Sequence, residues 1–377
     1  MALPRRPSRA ARTTNQNMAK ERIGILTSGG DCPGLNAVLR GAARAASRYG
    51  WEVLGFRDGF EGLLPPGDFI VLDRAATSGI MHWGGTILGT TNRGHFVAKA
   101  GAGDKMQIPQ EVMDKAKQTY DDLGLRAIIA IGGDGSLSTA LQLAENGMNV
   151  IGVPKTIDND LEATAMTFGF DSAVECVADS LDRLHTTASS HRRVMVVEVM
   201  GRHAGWIALY GGMAGGADII LIPEIPFDYD KIADEVNRRM AMGCKCTIIV
   251  VAEGAFPREG RQLRHATASG EHRLGGIGEA VSREIGTRVS HEIRTCVLGH
   301  LQRGGAPTTL DRILGTRFGV KAAELVAEEK YGSMVSYQNY QVLDVPISHA
   351  VHKLRKVPAD GEMVRVARTM EICFGDR

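Results

Sequence analysis

Two segments of the chain, about 100 residues apart, repeat the same order of apolar strand, glycine turn and helix. Ile23–Leu26 is an apolar run that ends at Ser28-Gly29-Gly30-Asp31, and apolar positions then recur with helical spacing from Leu35. Ala127–Ile131 is followed in the same way by Gly132-Gly133-Asp134-Gly135-Ser136 and a second helical pattern. A strand that turns tightly into a helix is the repeating unit of α/β proteins, so this order predicts a parallel sheet.

Further apolar runs and helical patterns continue this alternation. Strands are expected at 149–153, 194–199, 218–222, 247–252 and 295–298. Helices are expected near 171–187, 203–213, 230–242, 276–288 and 311–330. Alternating strands and helices predict an α/β protein whose mainly parallel sheets are covered on both faces. A length of 377 residues is typical of two domains.

Two stretches fit neither pattern. Residues 1–20 carry five basic side chains and no acidic one, which predicts a disordered leader. Residues 257–273 are rich in arginine and poor in apolar side chains, which predicts a surface loop. The chain beyond the leader is slightly acidic, and this argues against nucleic acid as a partner. No run of 18 apolar residues occurs, so no membrane-spanning segment is expected.

The six cysteines contain no CxxC pair, and the chain has no N-x-[ST] sequon. Extracellular proteins of this kind usually carry paired cysteines, whereas reduced thiols are typical of the cytoplasm. The cysteine pattern therefore favours a cytoplasmic protein.

The two glycine turns are candidate phosphate sites. A glycine turn at the end of a strand lets backbone N–H groups approach an anion, and the following helix N-terminus adds partial positive charge. An acid in each turn suits Mg²⁺, which takes oxygen ligands and bridges phosphates. Tight packing alone also explains such a turn. The GxxxxGK[ST] loop, GxGxxG and the protein-kinase motifs are absent, which disfavours P-loop NTPases and nicotinamide dehydrogenases.

A third acidic segment, Pro154–Asp160, follows the strand at 149–153. Neighbouring βα units open on one crevice, so Asp134, Asp158 and Asp160 are candidates for one site, where one acid holds magnesium and another removes a proton. The same residues equally suit an Asx turn and a helix cap. Arginines stand at both ends of the strands at 194–199 and 295–298, where they form surface ion pairs or bind a phosphorylated small molecule.

Six motifs together resemble the 6-phosphofructokinase family, in its order and spacing, from about residue 22 to residue 332. They are LTSGGDCPGLNAVLRG at 26–41, GGDGS at 132–136, KTIDND at 155–160, VVEVMGRHAGW at 196–206, VVAEGA at 250–255 and LGHLQRGG at 298–305. The resemblance implies transfer of the γ-phosphoryl group of MgATP to the C1 hydroxyl of fructose 6-phosphate, a step of glycolysis. It also implies two doubly wound α/β domains with mainly parallel sheets and an active site in the cleft between them.

The resemblance further implies a role for individual residues. Asp158 is the expected general base, Thr156 and Arg202 are its catalytic partners, and Asp134 is the magnesium ligand. The donor is expected to bind Gly29, Gly30, Arg93, Gly133, Asp134, Gly135, Ser136 and Lys155. The sugar phosphate is expected to bind Thr156, Asp158, Asp160, Arg193, Met200, Gly201, Arg202, Glu253, Arg294, His300 and Arg303.

The family also suggests how the chain is divided and assembled. A donor-nucleotide domain is expected from 21–168 plus 302–352, and a sugar-phosphate domain from 169–301 plus 353–377. A homotetramer is expected, in which Arg193 and Arg294 complete a neighbour's site.

The phosphoryl donor is where the chain departs from the family pattern. Pyrophosphate users usually have Asp at the position of Gly135 and Lys at that of Lys155, whereas common ATP users have Gly at both. Gly135 leaves room for the α-phosphate of ATP, so ATP is expected. A pyrophosphate-dependent enzyme and a non-catalytic sugar-phosphate-sensing subunit stay open as alternatives, although a sensor has no need of the acids at 134, 158 and 160.

Overall fold

The computed structural model describes residues 20–91, 93–96, 107–266 and 272–377. Apart from Lys20, the disordered leader predicted for residues 1–20 lies outside the described residues. The described strands are β1 Arg22–Thr27, β2 Glu52–Phe56, β3 Phe69–Val71, β4 Leu125–Gly132, β5 Val150–Pro154, β6 Val194–Val199, β7 Ile219–Leu221, β8 Thr247–Ala252, β9 Arg264–Ala266, β10 His272–Leu274, β11 Ile293–Val297, β12 Ser333–Gln338 and β13 Gln341–Pro346.

Helices alternate with these strands along most of the described chain. They are α1 Leu35–Arg48, α2 Gln110–Asp122, α3 Asp134–Glu145, α4 Phe170–His191, α5 Trp206–Ala214, α6 Tyr229–Ala241, α7 Ile277–Gly286, α8 Thr309–Ala327, α9 Ile347–Val351 and α10 Glu362–Thr369. The helices expected near 171–187 and 311–330 are confirmed as α4 and α8, with ends shifted by a few residues.

Two sheets organise the described residues. The larger sheet has the strand order β13-β12-β5-β4-β1-β2-β3, and the smaller sheet has the order β11-β6-β8-β7. All pairs of the smaller sheet are parallel, and the larger sheet is parallel except where β3 and β13 join its edges. The predicted α/β class with mainly parallel sheets is thus confirmed.

Strands β6 and β8 are buried along their whole length, and β4 is buried except at Arg126, because helices cover both faces of each sheet. One apolar cluster joins one face of the larger sheet, through α1 and α8, to the smaller sheet, through α4 and α5. Separate clusters cover the opposite faces of the two sheets. The core therefore runs without interruption from one sheet to the other.

The structure differs from the sequence expectations in its less apolar parts. The pattern did not predict β2, β3, β12 or β13. The surface loop expected at 257–273 contains a two-stranded antiparallel ribbon, in which β9 pairs with β10. These strands are short or partly exposed, so contacts with the rest of the protein, more than their own hydrophobicity, determine them.

The C-terminal residues cross from one sheet to the other. β12 and β13 complete the larger sheet, whereas Cys373 pairs with Ile219 of β7 at the edge of the smaller sheet. Among the described helices, none is long and apolar enough to cross a membrane.

Helices α1 and α8 pack so closely that glycine is required at their contact. A Cβ added at Gly41 of α1 would lie 2.6 Å from the carbonyl oxygen of Thr316 in α8. Gly319 of α8 meets the backbone of Val38 just as tightly. The α1 helix begins directly after the first glycine turn, so this packing also fixes that turn.

We expect Gly41→Ala to lower the free energy of unfolding by roughly 1–3 kcal/mol, because the added methyl group meets backbone rather than a movable side chain. Urea denaturation measures the change. The matched control is Gly286→Ala in α7, where the nearest atom to a new Cβ, Cδ1 of Ile293, is 3.7 Å away. This control should be neutral or slightly stabilising, and an equal loss in both variants would contradict the packing argument.

Candidate active site

The carboxyl ends of strands from both sheets open on one cleft with a volume of about 560 Å³. From the larger sheet, the cleft is lined by segments that follow β1, β4 and β5. From the smaller sheet, it is lined by segments that follow β6, β8 and β11. The predicted site residues that line it are Gly29, Gly30, Arg93, Gly133, Asp134, Gly135, Ser136, Lys155, Thr156, Asp158, Asp160, Met200, Arg202, Glu253, His300 and Arg303.

The first glycine turn lies against an arginine from a distant part of the chain. A Cβ at Gly30 would lie 2.8 Å from Nη1 of Arg303. The same Nη1 donates a hydrogen bond of 3.1 Å to the carbonyl oxygen of Asp31. Only glycine at position 30 allows the guanidinium group to approach this closely.

Lys155 is a buried cation beneath that turn, with 4% of its surface exposed. Its ammonium group donates to the carbonyl oxygen of Gly30. Burial lowers the pKa of Lys155, because an apolar surrounding disfavours the charged form. The side chain therefore bridges the end of β5 and the turn after β1.

Local hydrogen bonds hold the catalytic loop, which we define as residues 156–160. The hydroxyl of Thr156 accepts from the backbone N–H of Asp158 at 3.1 Å and donates to Asp160 Oδ1 at 3.2 Å. Asn159 has a φ of 51°, and its Oδ1 accepts from the N–H of Thr167 at 3.1 Å. Asparagine tolerates this left-handed conformation better than most residues do. The loop thus presents two carboxylates to the cleft.

Of the two carboxylates in this loop, that of Asp158 has a buried oxygen, Oδ1, without a hydrogen-bond partner among the described residues. Burial raises the pKa of Asp158, while the nearby charges of Arg303 and Arg202 lower it. An unpaired buried acceptor is costly unless a ligand supplies a donor, so this oxygen is suited to accept a proton from a bound molecule.

Two further acids in the cleft have strongly raised pKa values. Burial, followed by the charge of Asp158, raises the pKa of Asp160 to about 7. Burial and the same charge raise the pKa of Glu253 to about 7, against the opposing effect of Arg202. The raised pKa values show that the cations near Asp160 and Glu253 do not fully offset burial and the charge of Asp158, so a divalent cation bound with a phosphorylated ligand would suit this part of the cleft.

Asp134 is the first residue of α3 and lines the cleft beside the second glycine turn. Among the described residues, no cluster of three or more His, Cys, Asp or Glu side chains is arranged to hold a metal. Magnesium needs no such cage, because it is commonly bound through one or two carboxylates, water and substrate phosphates. The residues present therefore fit magnesium held jointly by Asp134 and a phosphorylated donor.

A buried glutamine aligns the segments that enter the cleft from the smaller sheet. Oε1 of Gln302 accepts from the N–H of Met200 at 3.3 Å, and its Nε2 donates to the carbonyl oxygen of Gly299 at 3.2 Å. Gly201 has a φ of 136°, and a Cβ there would lie 2.8 Å from the carbonyl oxygen of Ala204. Although Gly201 does not itself line the cleft, it turns the chain between Met200 and Arg202.

The structure does not bring Arg193 and Arg294 into this cleft. Arg193 precedes β6 and Arg294 lies in β11, and both form ion pairs with Glu292. Strand β6 has six residues, so Arg193 is about 20 Å along the strand from Met200. Their predicted role in a neighbour's site stays a prediction.

Several lining residues were not predicted. They are Ser28, Asp31, Phe60, Glu61, Thr91, Phe96, Thr139, His203 and Leu274. Ser28, Asp31 and His203 lie inside motifs that already indicated the site, so their position next to predicted site residues could have identified them. Glu61 had none: it accepts from the N–H of His95 at 2.6 Å and so anchors the segment that carries Arg93.

Comparison with known proteins identifies the family. Residues 22–326 match the family described as Phosphofructokinase. An ATP-dependent 6-phosphofructokinase of Chloroflexus aggregans is 50% identical over 357 residues, which cover 95% of this chain and 98% of that protein. The chain belongs to the phosphofructokinase family.

Other phosphofructokinases and related proteins are also similar. A pyrophosphate–fructose 6-phosphate 1-phosphotransferase of Amycolatopsis mediterranei is 47% identical over 90% of this chain and 97% of that protein. The structure of Pichia pastoris phosphofructokinase in the T-state superposes with a TM-score of 0.78 at 31% identity, over 95% of this chain and 37% of that chain. The resemblance and the fold class inferred from the motifs are confirmed, but overall identity does not separate the two donors.

We expect Asp160→Asn to raise the free energy of unfolding more at pH 8 than at pH 5. The difference between the two pH values should be roughly 1–3 kcal/mol. The raised pKa means that the folded protein retains a proton that the unfolded chain releases, so stability falls as pH rises from about 4 to 7. Asparagine cannot titrate and removes this loss.

Urea denaturation at the two pH values measures the difference. The matched control for the loss of one carboxylate is Asp360→Asn, which changes an exposed side chain. An Asp160→Asn effect that is the same at pH 5 and pH 8 would contradict the raised pKa.

Proposed function

We propose that this phosphofructokinase transfers the γ-phosphoryl group of MgATP to the C1 hydroxyl of fructose 6-phosphate, giving fructose 1,6-bisphosphate. The observation that carries the proposal is the buried Asp158 Oδ1, which lacks a partner among the described residues and lies in a cleft lined by two glycine turns and by arginines. A coupled assay with ATP and pyrophosphate supplied in turn to the purified protein tests it. Activity with neither donor would overturn the proposal, and activity with pyrophosphate alone would overturn the choice of ATP.

In the proposed mechanism, the donor occupies the side of the cleft formed by the larger sheet. Backbone N–H groups at Gly30, Gly133 and the start of α3 favour negative charge there. Bound through Asp134, magnesium would neutralise charge on the donor phosphates. Ser136 and Arg93 line the same side.

The sugar phosphate occupies the opposite side, against Met200, Glu253, His300 and Arg303. Positioning and charge compensation supply most of the catalysis in phosphoryl transfer. Asp158 accepts the proton of the C1 hydroxyl as that oxygen bonds to the γ-phosphorus and the bond to the β-phosphate oxygen breaks. Arg202 balances the charge on the transferring group. The hydroxyl of Thr156 orients Asp158 by accepting a hydrogen bond from the backbone N–H of Asp158.

The donor assignment depends on positions 135 and 155. Gly135 lies in the first turn of α3 and lines the cleft without a side chain. An acidic side chain there would add volume and negative charge beside the donor, so glycine supports ATP. The buried Lys155 suits either donor, and it keeps the pyrophosphate-dependent reaction as the second candidate. A purely sensing subunit would have no use for the proton acceptor at Asp158.

The proposal extends to assembly and location. Strand β11 is an edge strand of the smaller sheet. Its last residue, Val297, is 55% exposed, and Leu301 in the turn that follows is 68% exposed. An exposed edge with apolar side chains supports an interface between subunits, in which Arg193 and Arg294 reach a neighbour's site in a homotetramer. The six free cysteines support a cytoplasmic location. The strands of the larger sheet all lie within the proposed donor-nucleotide domain, and those of the smaller sheet all lie within the proposed sugar-phosphate domain. This distribution supports the division of the chain given above.

We expect Asp158→Asn to lower kcat by about 10²–10⁴-fold, because asparagine cannot accept the proton. The KM values for ATP and fructose 6-phosphate should change little, since the side chain keeps its size. Steady-state kinetics measure both. Turnover close to that of the wild type would remove Asp158 from the mechanism.

We expect Gly135→Asp to raise the KM for ATP by roughly tenfold or more, because the carboxylate adds repulsion and bulk beside the donor phosphates. The KM for fructose 6-phosphate should stay within about twofold. The two KM values are measured by varying the concentration of each substrate while the other is saturating. An unchanged KM for ATP would show that position 135 does not select the donor.

A further inference from the structure

A four-residue part of the C-terminal region, Leu354–Val357, touches the catalytic loop but has no role in the proposed function. We call it the connecting segment. Leu354 pairs with Leu161 as an isolated β-bridge, directly after the catalytic loop. The backbone N–H of Arg355 donates to the carbonyl oxygen of Asp160 at 2.8 Å. The segment therefore bonds to the backbone of a residue whose carboxylate lines the cleft.

The side chain of Arg355 joins this loop to α5. Its Nη1 donates to the carbonyl oxygen of Ala165 at 2.7 Å. Its guanidinium carbon lies 4.7 Å from the ring centre of Trp206, the first residue of α5, as a cation–π contact. The indole Nε1 of Trp206 returns a hydrogen bond of 3.0 Å to the carbonyl oxygen of Arg355. One residue thus contacts both elements at the same time.

A half-buried carboxylate, that of Glu224, reinforces the link to α5. Oε1 of Glu224 accepts from the N–H of Val357 at 2.9 Å and from the N–H of Gly205 at 3.0 Å. Gly205 is the residue before α5, and it ends the turn that begins with Met200 and carries Arg202. The connecting segment is therefore hydrogen-bonded directly to the catalytic loop. It is linked through Glu224 and Trp206 to the loop that enters the cleft from the opposite sheet.

We propose that the connecting segment sets the position of Asp158 relative to Arg202, and that Arg355 is a positioning residue for phosphoryl transfer. The inference rests on the proposed function, in which these two side chains act on the same transferring group. Neither Arg355 nor Trp206 lines the cleft. Their effect on the reaction would pass through the backbone of residues 160–165 and the start of α5.

Residues 163 and 164, which follow the catalytic loop, are hydrogen-bonded to the larger sheet independently of Arg355. The side chain of Gln338 donates to the carbonyl oxygen of Ala163 at 3.1 Å, and the N–H of Tyr337 donates to the hydroxyl of Thr164 at 3.1 Å. Removing the arginine side chain should therefore leave the loop folded on the larger sheet while loosening its link to α5. A displacement of about 1 Å at a reacting group can cost up to 10²-fold in rate.

The test compares Arg355→Ala with wild type in the donor-coupled assay. We expect kcat to fall by roughly ten- to a hundredfold, while the KM values for both substrates stay within about threefold. Arg365→Ala, which removes an exposed arginine of α10, is the matched control and should keep the wild-type kcat. Thermal unfolding is recorded for every variant, and assays are run well below the transition. Added guanidinium ion should partly restore kcat in Arg355→Ala and not in Asp158→Asn.

Three outcomes would overturn the inference. They are an unchanged kcat in Arg355→Ala, a loss of kcat fully accounted for by an unfolded fraction, and an equal loss in Arg365→Ala. Trp206→Phe tests the link between the connecting segment and α5 in a second way. This variant removes the hydrogen bond to the Arg355 carbonyl oxygen but keeps an aromatic ring beside the guanidinium group. It should lower kcat with little change in KM, and a wild-type kcat there would also count against the proposal. Wild-type activity, measured first, tests the proposed function separately.

Discussion

Charge buried between two sheets is the feature on which the rest of this structure depends. The catalytic loop after β5 brings Asp158 and Asp160 into a cleft where burial raises the pKa of both. Buried charge is tolerated where opposite charge and hydrogen bonds surround it. Here the compensating arginines follow β6 and β11 of the other sheet, so neither half of the cleft is complete alone. Asp158 Oδ1, which has no hydrogen-bond partner among the described residues, is a cost that a substrate hydroxyl would offset in the proposed function.

Parallel topology explains how residues so distant in sequence reach one place. Strands of a parallel sheet end at the same edge, and their loops collect there. Two such edges face each other because a single apolar cluster extends from α1 and α8 to α4 and α5. Close glycine contacts between α1 and α8 fix the first turn, and the C-terminal residues tie the second sheet back to the catalytic loop. The packed core thus positions the cleft, and the loops at the strand ends carry the candidate site residues.

Much of this arrangement was predictable from local pattern. Strands β4, β6 and β8 each contain at least four consecutive apolar residues. The glycine turns follow two apolar runs at the points where helices begin. Strands β12 and β13 were missed because only three residues of β12 and none of β13 are fully buried, so their hydrophobic signal is weak. The site residues of the motifs were identified by resemblance, and the structure brings most of them to one cleft. Glu61 and Arg355 stand outside the motifs, so nothing in the local sequence marked them.

The sequence by itself determined the family, the α/β class and the identity of the acids, glycines and arginines near the cleft, because periodicity and motif are local properties of the chain. Tertiary structure alone decided which carboxylate oxygen of the cleft lacks a hydrogen-bond partner among the described residues, that Lys155 is buried beneath Gly30, and that Arg355 contacts Trp206. Such facts depend on contacts between residues that are tens to hundreds of positions apart. Burial and electrostatic coupling arise only when the chain has closed those distances, so no local pattern can encode them.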